Sequence, residues 1–199
     1  MEIKNSEIAR TFDEHEAEYS NTVNDALNFS GLDVDFFTKV KADYIGDLVK
    51  SHFGKTSDAQ MLDIGCGVGN FHPLLLSRFA RIDGVDISPS SIERAQSNNP
   101  GVNYQCYDGD RLPFDDDTFD VAITVCVMHH VPPASWPSFA REMHRVVRPG
   151  GLALVFEHNP VNPLAVHVVN NCPFDADAVL LRAPKTKALL SGAGFEDVV

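Results

Sequence analysis

The amino-acid pattern predicts an α/β protein: an open, mostly parallel sheet, doubly wound by helices on its two faces. Three observations carry this. From about residue 59 onward, short apolar runs alternate with amphipathic stretches, the rhythm of parallel strands joined by helical crossovers. The first run leads into Gly65-Cys66-Gly67-Val68-Gly69, a glycine turn that lets backbone approach a ligand closely. The second ends at Asp86, where a carboxylate one strand over can accept both hydroxyls of a ribose. At 199 residues, the chain is long enough for one such domain and too short for two.

Taken in order, the first 55 residues stand apart. Phe37, Val40, Tyr44 and Leu48 recur at helical spacing, and Phe12 and Tyr19 lie in an acidic, helix-compatible stretch ahead of them. Residues 1–55 are expected to form an N-terminal helical cap over the open strand ends, part of the same domain as the core, 56–199. The expected strands are 60–64, 81–87, 102–107, 119–125 and 151–157. The fourth is almost continuously apolar, as suits a central parallel strand buried on both faces. Ser88-Pro89-Ser90-Ser91 begins a helix with a capping serine and a first-turn proline. Trp136, Phe139, Met143 and Val146 make one apolar helix face, with Arg145 and Arg148 in the expected last turn and Pro149-Gly150-Gly151 as the expected stop. A Pro/Asn-rich stretch, 159–173, and a helix over 184–191 complete the pattern.

The composition, 44% hydrophobic and 22% charged, is that of a globular protein. The formal net charge of −12 argues against a nucleic-acid partner, because such a field repels phosphate backbones. No apolar run reaches membrane-spanning length, so no membrane partner and a cytoplasmic location are expected. Cys66, Cys106, Cys126 and Cys172 contain no C-x-x-C pair and read as reduced core or pocket residues.

The glycine spacing excludes the usual dinucleotide fingerprint. That fingerprint is G-x-G-x-x-G, and here Asn70 stands where its last glycine belongs. A Tyr-x-x-x-Lys pair is missing too, which further disfavours a nicotinamide oxidoreductase. The stretch Leu62-Asp63-Ile64-Gly65-Cys66-Gly67-Val68-Gly69-Asn70 instead resembles motif I of the class I S-adenosylmethionine-dependent methyltransferases, in the bacterial small-molecule subset of the type 11-like methyltransferase domain. Four more segments resemble that family in order: Gly84-Val85-Asp86-Ile87-Ser88, Asp108-Gly109-Asp110-Arg111-Leu112-Pro113-Phe114, Phe119 through Met128-His129-His130-Val131, and Arg145-Val146-Val147-Arg148-Pro149-Gly150-Gly151. The resemblance implies a Rossmann-like sheet of order 3-2-1-4-5 with S-adenosyl-L-methionine as cofactor. It also implies two more C-terminal strands, of which at most the start of one is present, so the C-terminal hairpin is expected to be incomplete. The open sheet edge would then favour self-association or lower stability.

Carried onto this chain, the resemblance implies that Asp63, Gly65, Cys66, Gly67 and Gly69 form the turn beside the methionine part of the cofactor. Asp86 would take the ribose hydroxyls, with Ile87 on the adenine face and Asp108 and Gly109 at the adenine edge. The alignment to Leu112-Pro113-Phe114 favours Asp108 over Asp110. Val125, or Thr124, would meet the cofactor's amino group with its backbone, and Tyr19 would close over the same end. The methyl acceptor is expected to be a small molecule. Oxygen is the favoured atom; nitrogen, carbon and a non-catalytic cofactor-binding module are the alternatives. A hydroxyl acceptor needs a proton acceptor, and His129 and His158, near strand ends, are the catalytic candidates. His130 pairs with His129 as a structural or pocket-lining residue. The run Asp115-Asp116-Asp117 reads as a solvated turn, and no cluster of ligand type suggests a metal.

Overall fold

The structure is a computed structural model and describes residues 33–199. Its elements are α1 (Val34–Phe53), β1 (Gln60–Ile64), α2 (His72–Leu75), β2 (Arg81–Asp86), α3 (Pro89–Asn98), β3 (Asn103–Cys106), β4 (Phe119–Val125), α4 (Trp136–Val146), β5 (Val147–Phe156), α5 (Pro163–Asn171) and α6 (Ala183–Ala193). The sheet order is β3-β2-β1-β4-β5, and every pairing is parallel. All five C-terminal strand ends therefore open on one side. The order reverses between β1 and β4, the place where open α/β sheets bind ligands.

Period-two alternation explains why β1 and β4 are apolar at nearly every position. Met61, Val121 and Ile123 pack on one face against Ala42, Ile45 and Val49 of α1 and Ile92 and Ala95 of α3. Leu62, Ile64 and Ala122 pack on the other against Phe139, Met143 and Val146 of α4 and Leu189 and Leu190 of α6. Each fully buried aliphatic side chain contributes about 1.5–3 kcal/mol, so this two-sided core fixes the strand positions from which the loops spring. No helix among the described residues is long and apolar enough to cross a membrane.

Three expectations are corrected. The apolar stripe expected on α1 is not its buried face: Val40 and Tyr44 are 49% and 56% exposed, while Ala42, Ile45, Gly46 and Val49 are buried. Ile45 and Val49 fill the contact, and the small Ala42 and Gly46 beside them let the helix lie close. A Cβ on Gly46 would stand 2.9 Å from Arg78 Nη1. Tyr44 instead packs edge-on against Phe156 at the flank, with ring centroids 6.1 Å apart. Second, Pro149-Gly150-Gly151 does not stop a helix; α4 ends at Val146, and the three residues form an irregularity inside β5, where Phe119 pairs with Val147 and Val121 with Leu152. Proline is tolerated there because it sits at a bulge in an edge strand. Third, Arg148 serves no helix terminus but pairs with Asp120 of β4. Among the described residues the sheet stops at β5, with Phe195 and Val198 packed on the core beyond it. The rest of the expected cap, residues 1–32, lies outside the described residues.

Arg145 ties the loop before β4 to α4. Its guanidinium donates to both Glu142 oxygens, at 2.9 and 2.7 Å, and to the carbonyls of Phe114 (2.7 Å) and Leu112 (3.0 Å) and the Asp116 carboxylate (2.9 Å). Glu142 also accepts from Leu112 N at 2.9 Å. Replacing Arg145 with Met is expected to lower unfolding free energy by roughly 2–3 kcal/mol, since charged hydrogen bonds are worth about 1.5–3 kcal/mol each and do not add fully. Arg145 holds the Glu142 carboxyl below its ordinary value. The unfolded chain therefore binds the extra proton first, and the carboxylate's stabilisation is present above its unfolded pKa and fades as pH falls through the depressed one. Urea titrations at neutral and acid pH should show that acid loss in the wild type and a flatter profile in R145M.

Candidate active site

The glycine turn is held shut by the acid of the next strand. Asp86 Oδ2 accepts from Gly67 N at 2.9 Å and Oδ1 from Ser88 N at 2.9 Å. Gly65 N and Cys66 N donate to Val85 O. Each Asp86 oxygen accepts one of these amides and keeps lone-pair capacity for hydroxyl donors. The residue stays partly open to solvent, although its carboxyl sits deep enough for burial to raise its pKa against the lowering effect of the two amides. Gly67, at φ 51°, has nothing within 4 Å of where a Cβ would be. That open cradle above a hydrogen-bonded carboxylate fits an adenosyl ribose. Burial first, then the charges of Asp63 and Asp86, push the Cys66 thiol well up, so Cys66 packs as a thiol.

Beneath the turn lies a buried chain that the sequence did not reveal. Asp63 Oδ2 meets His72 Nε2 at 3.1 Å, and His72 Nδ1 meets the Tyr104 hydroxyl at 2.5 Å. Asp63 is thus a buried support beneath the turn, 2% exposed. Asn99 donates to Gly69 O at 3.3 Å. Gly69, at φ 74°, has to be glycine: a Cβ would stand 2.4 Å from the Tyr104 hydroxyl and 2.7 Å from Asn99 Nδ2.

The remaining expected cofactor residues gather at the same strand ends. Ile87 follows β2 directly and Val125 closes β4, both partly buried. Asp108 is exposed beyond β3, and its Oδ1 accepts from Asp110 N (2.9 Å) and Arg111 N (3.2 Å), which lower its pKa. Asp110 is therefore a neighbour whose amide the Asp108 carboxylate holds. Gly109 takes a left-handed φ of 84° in that turn. Asp116 of the acidic run pairs with Arg145. Tyr19 lies outside the described residues.

Past β4 the chain makes a tight turn around a carboxylate. Cys126, at φ 58°, donates its amide to Phe156 O at 2.8 Å. Val127 N and Met128 N both donate to Glu157 Oε1, at 3.1 and 2.7 Å, while Glu157 Oε2 meets His129 Nδ1 at 2.5 Å. Trp136 Nε1 locks the turn from outside by donating to Met128 O, and Val179 N ties the later segment to His129 O at 2.8 Å. That tie carries Asp175 inward. Its Oδ1 stands 3.3 Å from His129 Nε2 and 3.4 Å from His130 Nε2. The His129 approach is an ion-pair distance without hydrogen-bond alignment, so the buried Nε2 has no hydrogen-bond partner. Lys41 of α1 reaches Cys126 Sγ at 3.5 Å, and the His158 ring lies 5.3 Å from that of His129.

These histidines are not equivalent. Burial opposes the charged form of His129, but the flanking carboxylates of Asp175 and Glu157 outweigh it and push its pKa up to about 10. Burial first, and the charge on His129 second, push His130 down to about 4 and lower His158 as well. The sequence offered His129 and His158; Glu157 and Asp175 emerge only from the structure. The available signal was an acid at the rim of a strand: Glu157 directly follows β5, much as Asp86 closes β2.

The methyltransferase domain family matches residues 62–155, which span β1 to β5. An uncharacterized methyltransferase of Synechocystis sp. is 36% identical over 113 residues, covering 54% of this chain and 53% of that protein. The ubiquinone biosynthesis O-methyltransferase of Mesorhizobium japonicum is 32% identical over 130 residues, covering 60% and 51%. The chain thus spans about half the length of these curated relatives. Among solved structures, an S-adenosylmethionine-dependent methyltransferase of Thermotoga maritima superposes with a TM-score of 0.67 over 95% of this chain and 79% of its own, at 22% identity, which speaks for the fold. The family match thus falls on the strands that build this pocket: residues 62–155 match the methyltransferase domain family.

Proposed function

We propose that this chain transfers the methyl group of S-adenosylmethionine to a small molecule, with oxygen as the favoured acceptor atom. Bound S-adenosylmethionine supplies a methyl group on a cationic sulfur, so the protein's part is to bind, orient and keep water out. Asp86 and the Gly65–Gly69 turn bind the ribose end, and Ile87, Asp108 and Gly109 the adenine end. The backbone at Val125 and Tyr19 of the N-terminal segment complete the site in this reading.

The observation that carries the oxygen reading is His158, held neutral just past β5 and beside the charged His129. A neutral imidazole can take the proton of a hydroxyl acceptor; His129 is clamped by two carboxylates and acts as a positioning residue. A nitrogen or carbon acceptor is the second reading, because relatives at 32% and 31% identity are named norajmaline N-methyltransferase and sterol 4-C-methyltransferase. A non-catalytic cofactor-binding module is the rival from another class. The net charge of −12 supports a partner other than nucleic acid, and four cysteines that form no disulfide among the described residues support a reducing, cytoplasmic setting. Among the described residues no strand pairs with the outer edge of β5, which supports self-association, and a clean monomer by light scattering would remove that part.

Calorimetric titration with S-adenosylmethionine, S-adenosylhomocysteine and NAD should show binding of the first two. Asp86→Ala should weaken it roughly a hundredfold, as expected from losing two charge-assisted hydrogen bonds. Binding of NAD alone would overturn the cofactor assignment. With a hydroxylated acceptor and labelled cofactor, His158→Ala should lower turnover tenfold or more, within the roughly 10²–10⁴-fold range of general-base catalysis, and leave cofactor affinity within about twofold. Unchanged turnover removes His158 as the base. His129→Gln should lower turnover and move the acid limb of the pH profile, which belongs to His158, to higher pH, because the neighbouring positive charge that lowers His158 is gone; loss of the acid limb altogether would return the proton-accepting role to His129.

A further inference from the structure

We propose that His129, His130 and Asp175 form a binding site for one divalent transition cation, Zn²⁺ being the first candidate. One ligand atom from each lies within 4.8 Å of the others. Two of the three separations already suit a metal. A tetrahedral centre with bonds of about 2.0–2.1 Å sets its donor atoms about 3.3 Å apart, and Asp175 Oδ1 stands 3.3 Å from His129 Nε2 and 3.4 Å from His130 Nε2. Only the separation between the two imidazole nitrogens remains to be adjusted, within rings whose centroids are 4.1 Å apart.

A second observation is independent of that spacing. His129 is 1% exposed, and its Nε2 has no hydrogen-bond partner although the Asp175 carboxylate faces it. A polar nitrogen left so deep costs about 1–3 kcal/mol, and a bound cation would remove that cost. The surroundings are those of a metal-binding histidine. Glu157 takes His129 Nδ1, which orients the ring and leaves Nε2 as the donor, the carboxylate–histidine–metal arrangement. Glu157 is itself fixed by the amides of Val127 and Met128. Asp175 is fixed through its own amide on Cys172 O (3.0 Å) and through the Val179–His129 backbone bond.

Two imidazoles and one carboxylate make a set suited to Zn²⁺ and related first-row cations, and three protein ligands leave a coordination position open. His130, with 16% of its side chain exposed, is the side from which that position is reached. On the methyl-transfer reading above, on which this extension rests, the open position at the ends of β4 and β5 would hold the acceptor's oxygen.

The test uses the purified full chain, treated with a chelator and dialysed, then titrated with ZnCl₂ by calorimetry and with Co²⁺ by visible absorption. One Zn²⁺ per chain and intense tetrahedral Co²⁺ bands are expected. Removal of a ligand in His130→Ala or Asp175→Asn should cost at least a hundredfold in affinity. Glu157→Gln should cost roughly 10–100-fold, the range for a residue that orients a ligand. His130→Ala removes a partly exposed ring and keeps the test valid if Asp175→Asn fails to fold; retained S-adenosylmethionine binding reports folding in each variant. Failure of the wild type to bind, or equal binding in His130→Ala, overturns the proposal. If Zn²⁺ binds as stated while S-adenosylmethionine does not, the metal site stands and the methyl-transfer reading falls.

Discussion

Carboxylates placed at or just past strand ends hold the functional side of this protein together. In a parallel sheet every strand delivers its chain to the same rim, and the loops there carry backbone amides that the sheet cannot satisfy. Three acids take that task. Asp86, closing β2, accepts from Gly67 and Ser88; Asp108, beyond β3, accepts from Asp110 and Arg111; Glu157, beyond β5, accepts from Val127 and Met128. Each acid shapes a loop of its own or a neighbouring strand, so the pocket is assembled across the sheet rather than within any one turn.

The same arrangement sets the electrostatics. Buried carboxylates are tolerable only where charge or hydrogen bonds compensate them. Asp63 is matched by His72, and Glu157 and Asp175 share His129 between them. At the glycine turn, by contrast, Asp86 accepts from the backbone amides of Gly67 and Ser88, which leaves its negative field directed at a ligand. A sulfonium cofactor suits that field and a pyrophosphate does not, which agrees with the absence of a third fingerprint glycine at Asn70.

Much of this was legible in the sequence, and the exceptions have physical reasons. The runs at β1, β2 and β4 were readable because strands buried on both faces leave no polar alternation to misplace. The start of β5 was misread because Pro149-Gly150-Gly151, a helix stop by composition, is also what an edge-strand bulge tolerates. The apolar stripe of α1 reads less well, because Val40 and Tyr44 lie outward while Ala42, Ile45, Gly46 and Val49 make the contact. Gly65, Gly67 and Asp86 declared themselves through local spacing. The His129–Glu157–Asp175 constellation did not, since it is assembled from three distant segments whose meeting depends on sheet order and on the Val179–His129 backbone bond.

The crowding of histidines at that rim also divides their labour. Two carboxylates act on His129 from opposite sides, so its Nε2 either keeps a proton or gives it up to a cation; metal affinity and proton affinity compete at one atom. In both states a positive charge sits between Glu157 and Asp175, and in both that charge disfavours a second proton on His158. His158 therefore stays neutral whichever occupant His129 faces. On the proposed methyl transfer, an imidazole kept neutral beside an already charged neighbour is the group left to accept the proton, and the carboxylates of Asp175 and Glu157 on His129 maintain the difference between the two rings.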